Sequence, residues 1–230
     1  MEEIVSGVYG IGFGYVNAFL VAADSLTLVD AGLPKKSATL GQAIADAGKG
    51  KPLGDVLITH HHQDHVGSLA AIAPSGVTVW AHPADAPVIR GDGPPPRPAS
   101  RGVLDRFGVG VARRIAPKAP PARVDVEISD GQQIPVGEGF VAHHTPGHTA
   151  GHVSFLYPSS RVLFVGDAAA NMLGRLGPPF GLYSEDHEAV KSSIAKLAAL
   201  DFDVACFGHG RVLKGDACLK FRRLAEKLAS

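Results

Sequence analysis

The chain predicts an α/β fold in which β-sheets are covered by helices. Short strand-like runs alternate with helical stretches, and the set recurs in the second half of the chain. At 230 residues, with 45% hydrophobic and 19% charged content, the chain is long enough for a sizeable core. No internal repeat of 20–50 residues is visible, so 1–230 reads as a single domain with an insert at about 87–123.

Residues 16–22 (VNAFLVA) and 26–30 (LTLVD) flank a short Ala-Asp-Ser link and read as a hairpin. Gly10, Gly12 and Gly14 alternate just before it, with no helix following, and read as a flexible loop. A helix is expected over 34–47, with Pro34 near its first turn and Gly48 at its end. A β-run at 55–59, a histidine cluster, one small-residue helix through about Ala73 and a strand at 77–81 follow.

Residues 87–123 differ in character. Eight basic residues face only Asp92 and Asp105, a net +6, behind a Gly/Pro-rich loop GDGPPPRPAS. Leu104, Phe107, Val111 and Ile115 recur at helical spacing there, which predicts an amphipathic helix. Its apolar stripe would suit a pocket wall, a lid or a dimer contact, and its arginines could attract a carboxylate. Strands are then expected at 124–128, 133–136, 140–144, 152–157, 161–166 and 203–207, with helices at 186–200 and 216–228.

Bulk charge excludes some partners. Lys and Arg total 22, as do Asp and Glu, so no bulk attraction to nucleic acid or an anionic membrane is expected. No apolar run reaches the roughly 20 residues of a membrane helix, and MEEIVSGVYG does not read as a secretory signal. Two cysteines, Cys206 and Cys218, are too few for a disulfide framework, so the expected setting is the cytoplasm.

The chemistry concentrates in THHHQDHVG, residues 59–67. His60 and His62 are two apart and share one side of an extended chain, whereas His61 points the other way. Asp64 and His65 fall where a helix should begin, so they can reach a second position near the first. The spacing suits two metal ions better than one. His148 in TPGHT, Asp167 in FVGDA and His209 in FGHGR each follow a strand and sit beside glycine. With no thiolate in the set, imidazole and carboxylate ligands suit zinc, and iron or manganese could use the same ligands. His143 and His144 are the expected supporting histidines outside the ligand set.

Together these residues, with LVDAG at 28–32, resemble the metallo-β-lactamase superfamily, over about residues 4–215. The resemblance implies a four-layer αββα sandwich: two mixed β-sheets face to face, helices outside, and the site along the edge where strand-end loops meet. It implies that His60, His62 and His148 hold one metal, that Asp64, His65 and His209 hold the second, and that Asp167 bridges them. Asp30 would steady the histidine loop. The implied chemistry is hydrolysis by a hydroxide held between two divalent ions, with Asp64 orienting it and handling protons.

The resemblance leads us to expect a small acyl ester, thioester or lactone as substrate, in a glyoxalase II-like or lactonase-like branch. Neither pattern matches fully. GDAAANMLGRLGPPFG lacks the cysteine that glyoxalase II carries after the bridging aspartate, and Ala170 occupies the neighbourhood where lactonases carry a tyrosine, the nearest here being Tyr183. Arg175 and Tyr183 are the candidate substrate contacts. Three alternatives stay open: a mononuclear iron oxidoreductase resembling persulfide dioxygenase, a β-lactamase, and a non-catalytic metal-binding protein. The expected partner is a small molecule, with no nucleic acid or membrane, and the chain could form a homodimer.

Overall fold

The computed structural model describes residues 1–99 and 117–229. The first sheet has seven strands in chain order: β1 (Glu2–Val5), β2 (Val8–Gly12), β3 (Asn17–Ala22), β4 (Leu26–Val29), β5 (Leu53–Leu57), β6 (Thr78–Ala81) and β7 (Val126–Glu127). Neighbours are antiparallel through β4, then parallel from β4 to β7. The second sheet comprises β8 (Gln133–Ile134), β9 (Phe140–His144), β10 (Val153–Tyr157), β11 (Val162–Gly166), β14 (Val204–Phe207) and β15 (Leu213–Lys214). Its spatial order is β15-β14-β11-β10-β9-β8, with only β11 and β14 paired in parallel. β12 (Ala170–Met172) and β13 (Arg175–Gly177) form a separate hairpin, bridged through Asn171 to Gly210 after β14.

Alternation along the strands explains why the sheets stack and why helices cover them. Phe19 and Val21 of β3 face the second sheet, meeting Phe140, Phe155 and Phe164 in a layer between the sheets. Leu20, on the opposite face of β3, packs outward with Leu28 and Val56 against Leu40 of α1 (Ser37–Gly48), Leu69 of α3 (Leu69–Ile72) and Ile89 of α4 (Ala86–Arg90). On β11, Val162 and Phe164 point inward. Leu163 and Val165 point outward, to Ile194 of α5 (His187–Ala198) and Phe221 of α6 (Ala217–Ala229). Both faces of each sheet are buried over these strands, which is why they read as continuous apolar runs. Two mixed sheets with helices outside form the four-layer αββα sandwich that the resemblance implies.

Several expectations are corrected. Gly10 and Gly12 lie in β2, not in a loop, and only Gly14 of the three has a positive φ, at 91°. Val8 and Ile11 are buried, and β2 pairs on both sides. The helix expected from residue 34 starts at Ser37. Residues 31–33 are held by the turn after the histidine cluster: Ala31 N donates to His65 O, Gly67 N to Gly32 O and Ser68 Oγ to Leu33 O. The single helix expected through Ala73 is two short ones, α2 (Gln63–Val66) and α3, broken at Gly67. Gly67 lies against the backbone of Leu33 and Pro34 so closely that no side chain fits.

The amphipathic helix expected around Leu104–Ile115 lies outside the described residues. The insert's flanks are described. Ala99 N donates to Ser184 O at 2.8 Å, and Ala119 N donates to the Gln63 side chain. Two of its arginines serve the scaffold: Arg90 pairs with Glu127 at 2.9 Å, and Arg123 binds Asp125 and the carbonyls of Ala73 and Pro74.

Candidate metal centre

Strand direction alone brings the candidate residues together. β4 and β5 are parallel, so Asp30 and His60 leave the same edge of the first sheet. In the second sheet β9, β11 and β14 run the same way, so His148, Asp167 and His209 leave one edge there. β3 runs opposite to β4, which puts its start, Asn17, at that same edge. Asn17 joins the sheets there: its side chain donates to Phe207 O at 3.1 Å and Gly210 O at 2.9 Å.

The chain is extended at His62 (φ −64°, ψ 147°) and turns helical at Gln63. His60 and His62 therefore face one side, and Asp64 and His65 reach forward from the first turn of α2. Three groups of side chains place ligand atoms within 4.8 Å of one another: His60, His62 and His148; His60, His65 and Asp167; and Asp64, His65 and His209. Asp167 lies between the sets, with Oδ2 3.3 Å from His148 Nε2 and 3.1 Å from His209 Nε2, and Oδ1 3.6 Å from His65 Nε2. Asp64 Oδ2 is 3.4 Å from His209 Nε2. All seven residues expected as ligands are thus brought into one cluster.

The outer ring nitrogens are engaged from behind. His60 Nδ1 lies 3.0 Å from Thr59 Oγ1, His65 Nδ1 lies 2.8 Å from Asp30 Oδ2, and His209 Nδ1 lies 2.8 Å from Tyr15 O. A carboxylate or carbonyl can only accept, so His65 and His209 carry their protons on Nδ1. Thr59 gives its single hydroxyl proton to Asp30, at 2.9–3.0 Å, so it accepts from His60. The Nε2 atoms of these three histidines are left facing inward, to carry a proton or meet a cation. His65 Nε2 and Asp167 Oδ1 are buried with no hydrogen-bond partner. A lone pair facing a carboxylate oxygen is repulsive unless a cation or proton stands between them. Gly208 leaves the space free, since a Cβ there would overlap Asp167 Oδ1 and come within 2.5 Å of His65 Cε1. The donor set and its orphaned atoms fit divalent cations.

Titration follows the same geometry. Burial and neighbouring imidazoles hold His60 and His62 well below the ordinary histidine pKa. Burial pulls His148 down to about 3. Burial alone would lower His65 too, but Asp167 and Asp30 more than reverse this and raise it to about 10. Burial opposes ionisation of Asp167, yet His65, His209 and His148 hold its carboxyl far below the usual range.

Asp30 occupies the place expected for it. Its carboxylate accepts from Thr59 N at 2.9 Å, from Thr59 Oγ1 and from His65 Nδ1, and its backbone sits at φ 61°. His61 is turned away from the cluster, as alternation predicts, with Nδ1 3.1 Å from Asp85 Oδ2. The supporting histidine is His152, not His143 or His144. His152 Nε2 accepts from Asp167 N at 2.8 Å, while its Nδ1 lies 2.8 Å from Thr145 Oγ1. His144 instead stacks on His82, with ring centroids 4.1 Å apart, and His143 lies beside Lys196 and Asp130.

The rim is partly as expected. Tyr183 is 42% exposed, and its neighbour Ser184 has Oγ 3.4 Å from His148 Nδ1. Burial, the Asp64 carboxylate and Tyr183 together push the Tyr15 phenol above its ordinary pKa. The Tyr15 ring stacks on His209 at 5.9 Å. Arg175 is exposed on β13, and among the described residues no hydrogen bond or ion pair joins it to the cluster. The reading of the sequence missed Thr59, Tyr15, Asn17, Asp85 and His152. Only Thr59, adjoining the histidines, had a local signal.

A model of the metallo-beta-lactamase superfamily matches residues 11–209. The chain is 29% identical to the probable metallo-hydrolase YflN of Bacillus subtilis (strain 168), over 93% of this chain and 87% of that protein. It is 31% identical to a hydroxyacylglutathione hydrolase of Fuscovulum blasticum, over 84% of this chain but only 61% of that enzyme's length. Among solved structures, the MIM-2 metallo-beta-lactamase superposes with a TM-score of 0.71 at 25% identity, covering 97% of this chain and 86% of that one.

Proposed function

This chain belongs to the metallo-β-lactamase superfamily, and on that footing we propose that it is a hydrolase of small acyl esters, thioesters or lactones that works with two divalent metal ions. The observation that carries the reading is the set of inward-facing Nε2 atoms on His60, His65 and His209, each ring held from behind. In this reading His60, His62 and His148 would hold one ion, Asp64, His65 and His209 the other, and Asp167 would contribute to both. Zinc is the first expectation, from the imidazole and carboxylate donors, with iron and manganese served by the same set.

When bound, two such ions supply Lewis acidity and lower the pKa of an attacking water. Asp64 is the carboxylate placed to handle that water's proton, because it is the more open of the two: its side chain is 24% exposed, against 7% for Asp167. Asp167 is held deprotonated and buried, which suits a ligand and not a proton carrier. Asp30 and His152 orient His65 and Asp167 and do not meet the substrate.

Exposed large apolar side chains border the cluster: Tyr15 stacks on His209, and Phe180, Leu182 and Tyr183 precede Ser184, whose hydroxyl lies 3.4 Å from His148 Nδ1. They favour an uncharged acyl group over a polar conjugate. Tyr183 is the proposed contact, while Arg175 has weaker support. Both cysteines are free and buried, which agrees with a cytoplasmic setting. Among the described residues, no helix is long and apolar enough to cross a membrane.

The test is a panel of esters, thioesters, lactones and β-lactams with zinc, manganese and iron forms of the protein. Cleavage is expected, and Asp64→Asn should lower turnover by about 10²–10⁴-fold with unchanged circular dichroism. No cleavage by any metal form would leave a binding protein. One iron per chain with oxygen consumption on glutathione persulfide would replace hydrolysis with oxidation.

A further inference from the structure

Asp85 is a buried carboxylate outside the proposed ligand set, and both its oxygens are engaged. It sits at the N-cap position of α4 and is only 2% exposed. An aspartate there ordinarily caps its own helix. This one makes no side-chain capping bond to α4. Its oxygens reach instead to two loops from different sheets. Oδ2 accepts from His61 N at 2.9 Å and from Thr149 Oγ1 at 2.7 Å, and Oδ1 accepts from Gly151 N at 2.9 Å. The His61 ring adds a contact, with Nδ1 3.1 Å from Oδ2. Burial alone would raise the Asp85 pKa, but the bonds from His61 and Thr149 hold it below the ordinary carboxylate value.

The fit leaves no slack. A Cβ on Gly151 would lie 2.5 Å from Asp85 Oδ1 and 2.6 Å from Asp85 N. Two of the residues gripped are chain neighbours of the three-histidine group, and the third, Gly151, adjoins His152 behind Asp167. His61 lies between His60 and His62, and Thr149 adjoins His148. None of the three bonds goes to Asp64, His65 or His209. That second group is steadied by Asp30 on His65 and by Tyr15 O on His209. Asp30 thus reaches both halves of the centre, through Thr59 to His60 and directly to His65, whereas the bonds of Asp85 reach only the loops of the three-histidine half.

We propose that Asp85 is a positioning residue for the three-histidine half of the centre: its carboxylate fixes the loop of His60 and His62 against the loop of His148. The inference rests on the reading that those histidines hold a metal ion. Without the carboxylate, two backbone N–H groups and a hydroxyl lose their acceptor. The two loops can then separate, and the three ring nitrogens no longer converge. Loss of an outer support of this kind costs a metal site about 10–100-fold in affinity.

The experiment is a stepwise cobalt(II) titration of the metal-free full chain, read by visible absorption and by cobalt per chain after chelator competition. Wild type should take two ions. Asp85→Ala should bind one of them about 10–100-fold more weakly, leave the other near its wild-type affinity, and change the absorption of one component only. Thr149→Val removes one bond and keeps the carboxylate, so it should show the same asymmetry to a smaller degree even if Asp85→Ala does not fold. Equal weakening of both ions would make Asp85 a general scaffold residue and overturn the proposal, as would unchanged affinity for both in Asp85→Ala and Thr149→Val. A wild-type chain that takes up no metal would overturn the two-metal reading itself, and this proposal with it.

Discussion

At the residue scale, the candidate centre is set by where each ring nitrogen places its proton. Asp30 shows how much one carboxylate can decide. It accepts from the backbone and hydroxyl of Thr59 and from His65 Nδ1, and Thr59 then accepts from His60. One buried carboxylate therefore orients a histidine from each proposed metal group. Asp30→Asn should weaken metal binding by about 10–100-fold, measured by competition with a chromophoric chelator. An unchanged affinity would mean that the rings are held by packing alone. The ligand set itself was legible in the sequence, because His60, His62, Asp64 and His65 are contiguous and the other three follow strands beside glycines. Its supports were not. Asp85 lies 24 residues from His61 and 64 from Thr149, and it looks like an ordinary helix cap until the fold brings the loops together. His152 was passed over for His143 and His144. A strand's alternation places His143 and His144 on opposite faces, where His144 meets His82 and His143 lies beside Lys196 and Asp130, while Asp167 N bonds His152.

At the element scale, the loops of the centre are tied to regular structure. α5 begins at Asp186, whose carboxylate accepts from Glu188 N at 2.9 Å and Ala189 N at 3.0 Å. Just before it, Glu185 N and Asp186 N donate to Gly147 O, so the start of the helix is tied to the His148 loop. Asp186→Ala should cost about 1 kcal/mol of stability, the usual worth of such a cap, seen as a lower urea midpoint. No change would mean that the helix start is held by the loop alone. Strands buried on both faces, such as VLFV in β11, were legible as apolar runs. β1, β2 and the β12–β13 hairpin were not, since they are short and rich in glycine or polar residues. The start of α1 was misjudged because residues 31–33 bond to the turn after the histidines, a contact no local pattern encodes.

At the scale of the whole molecule, the sandwich stacks two sheets so that strands from both end at one edge. A polar cluster results inside a protein whose other layers are apolar, and that has a cost in the absence of metal. Burial lowers His148 to about 3 and His152 to about 4. The unfolded chain, near 6.5, therefore binds more protons than the folded one as pH falls through this range. Stability of the metal-free protein should drop from about pH 6.5 towards pH 4. His65 acts with the opposite sign. Its pKa of about 10 means that its contribution is full below 6.5 and is lost as pH rises towards 10. Urea midpoints of metal-free protein should thus fall on both sides of neutrality. A bound cation replaces the His65 proton, so metal should remove the alkaline loss and raise stability overall, by roughly 2.7 kcal/mol for each site at a free concentration 100 times its Kd. A flat profile in acid would contradict the neutral, buried state of these histidines. The central claim, that the side chains at this edge hold two divalent ions, is tested most directly by elemental analysis of metal per chain in wild type, His62→Ala and His61→Ala. The account predicts two ions in wild type, at most one in His62→Ala, and two in His61→Ala, whose ring faces Asp85. One ion or none in wild type, or equal loss from the two variants, would contradict it.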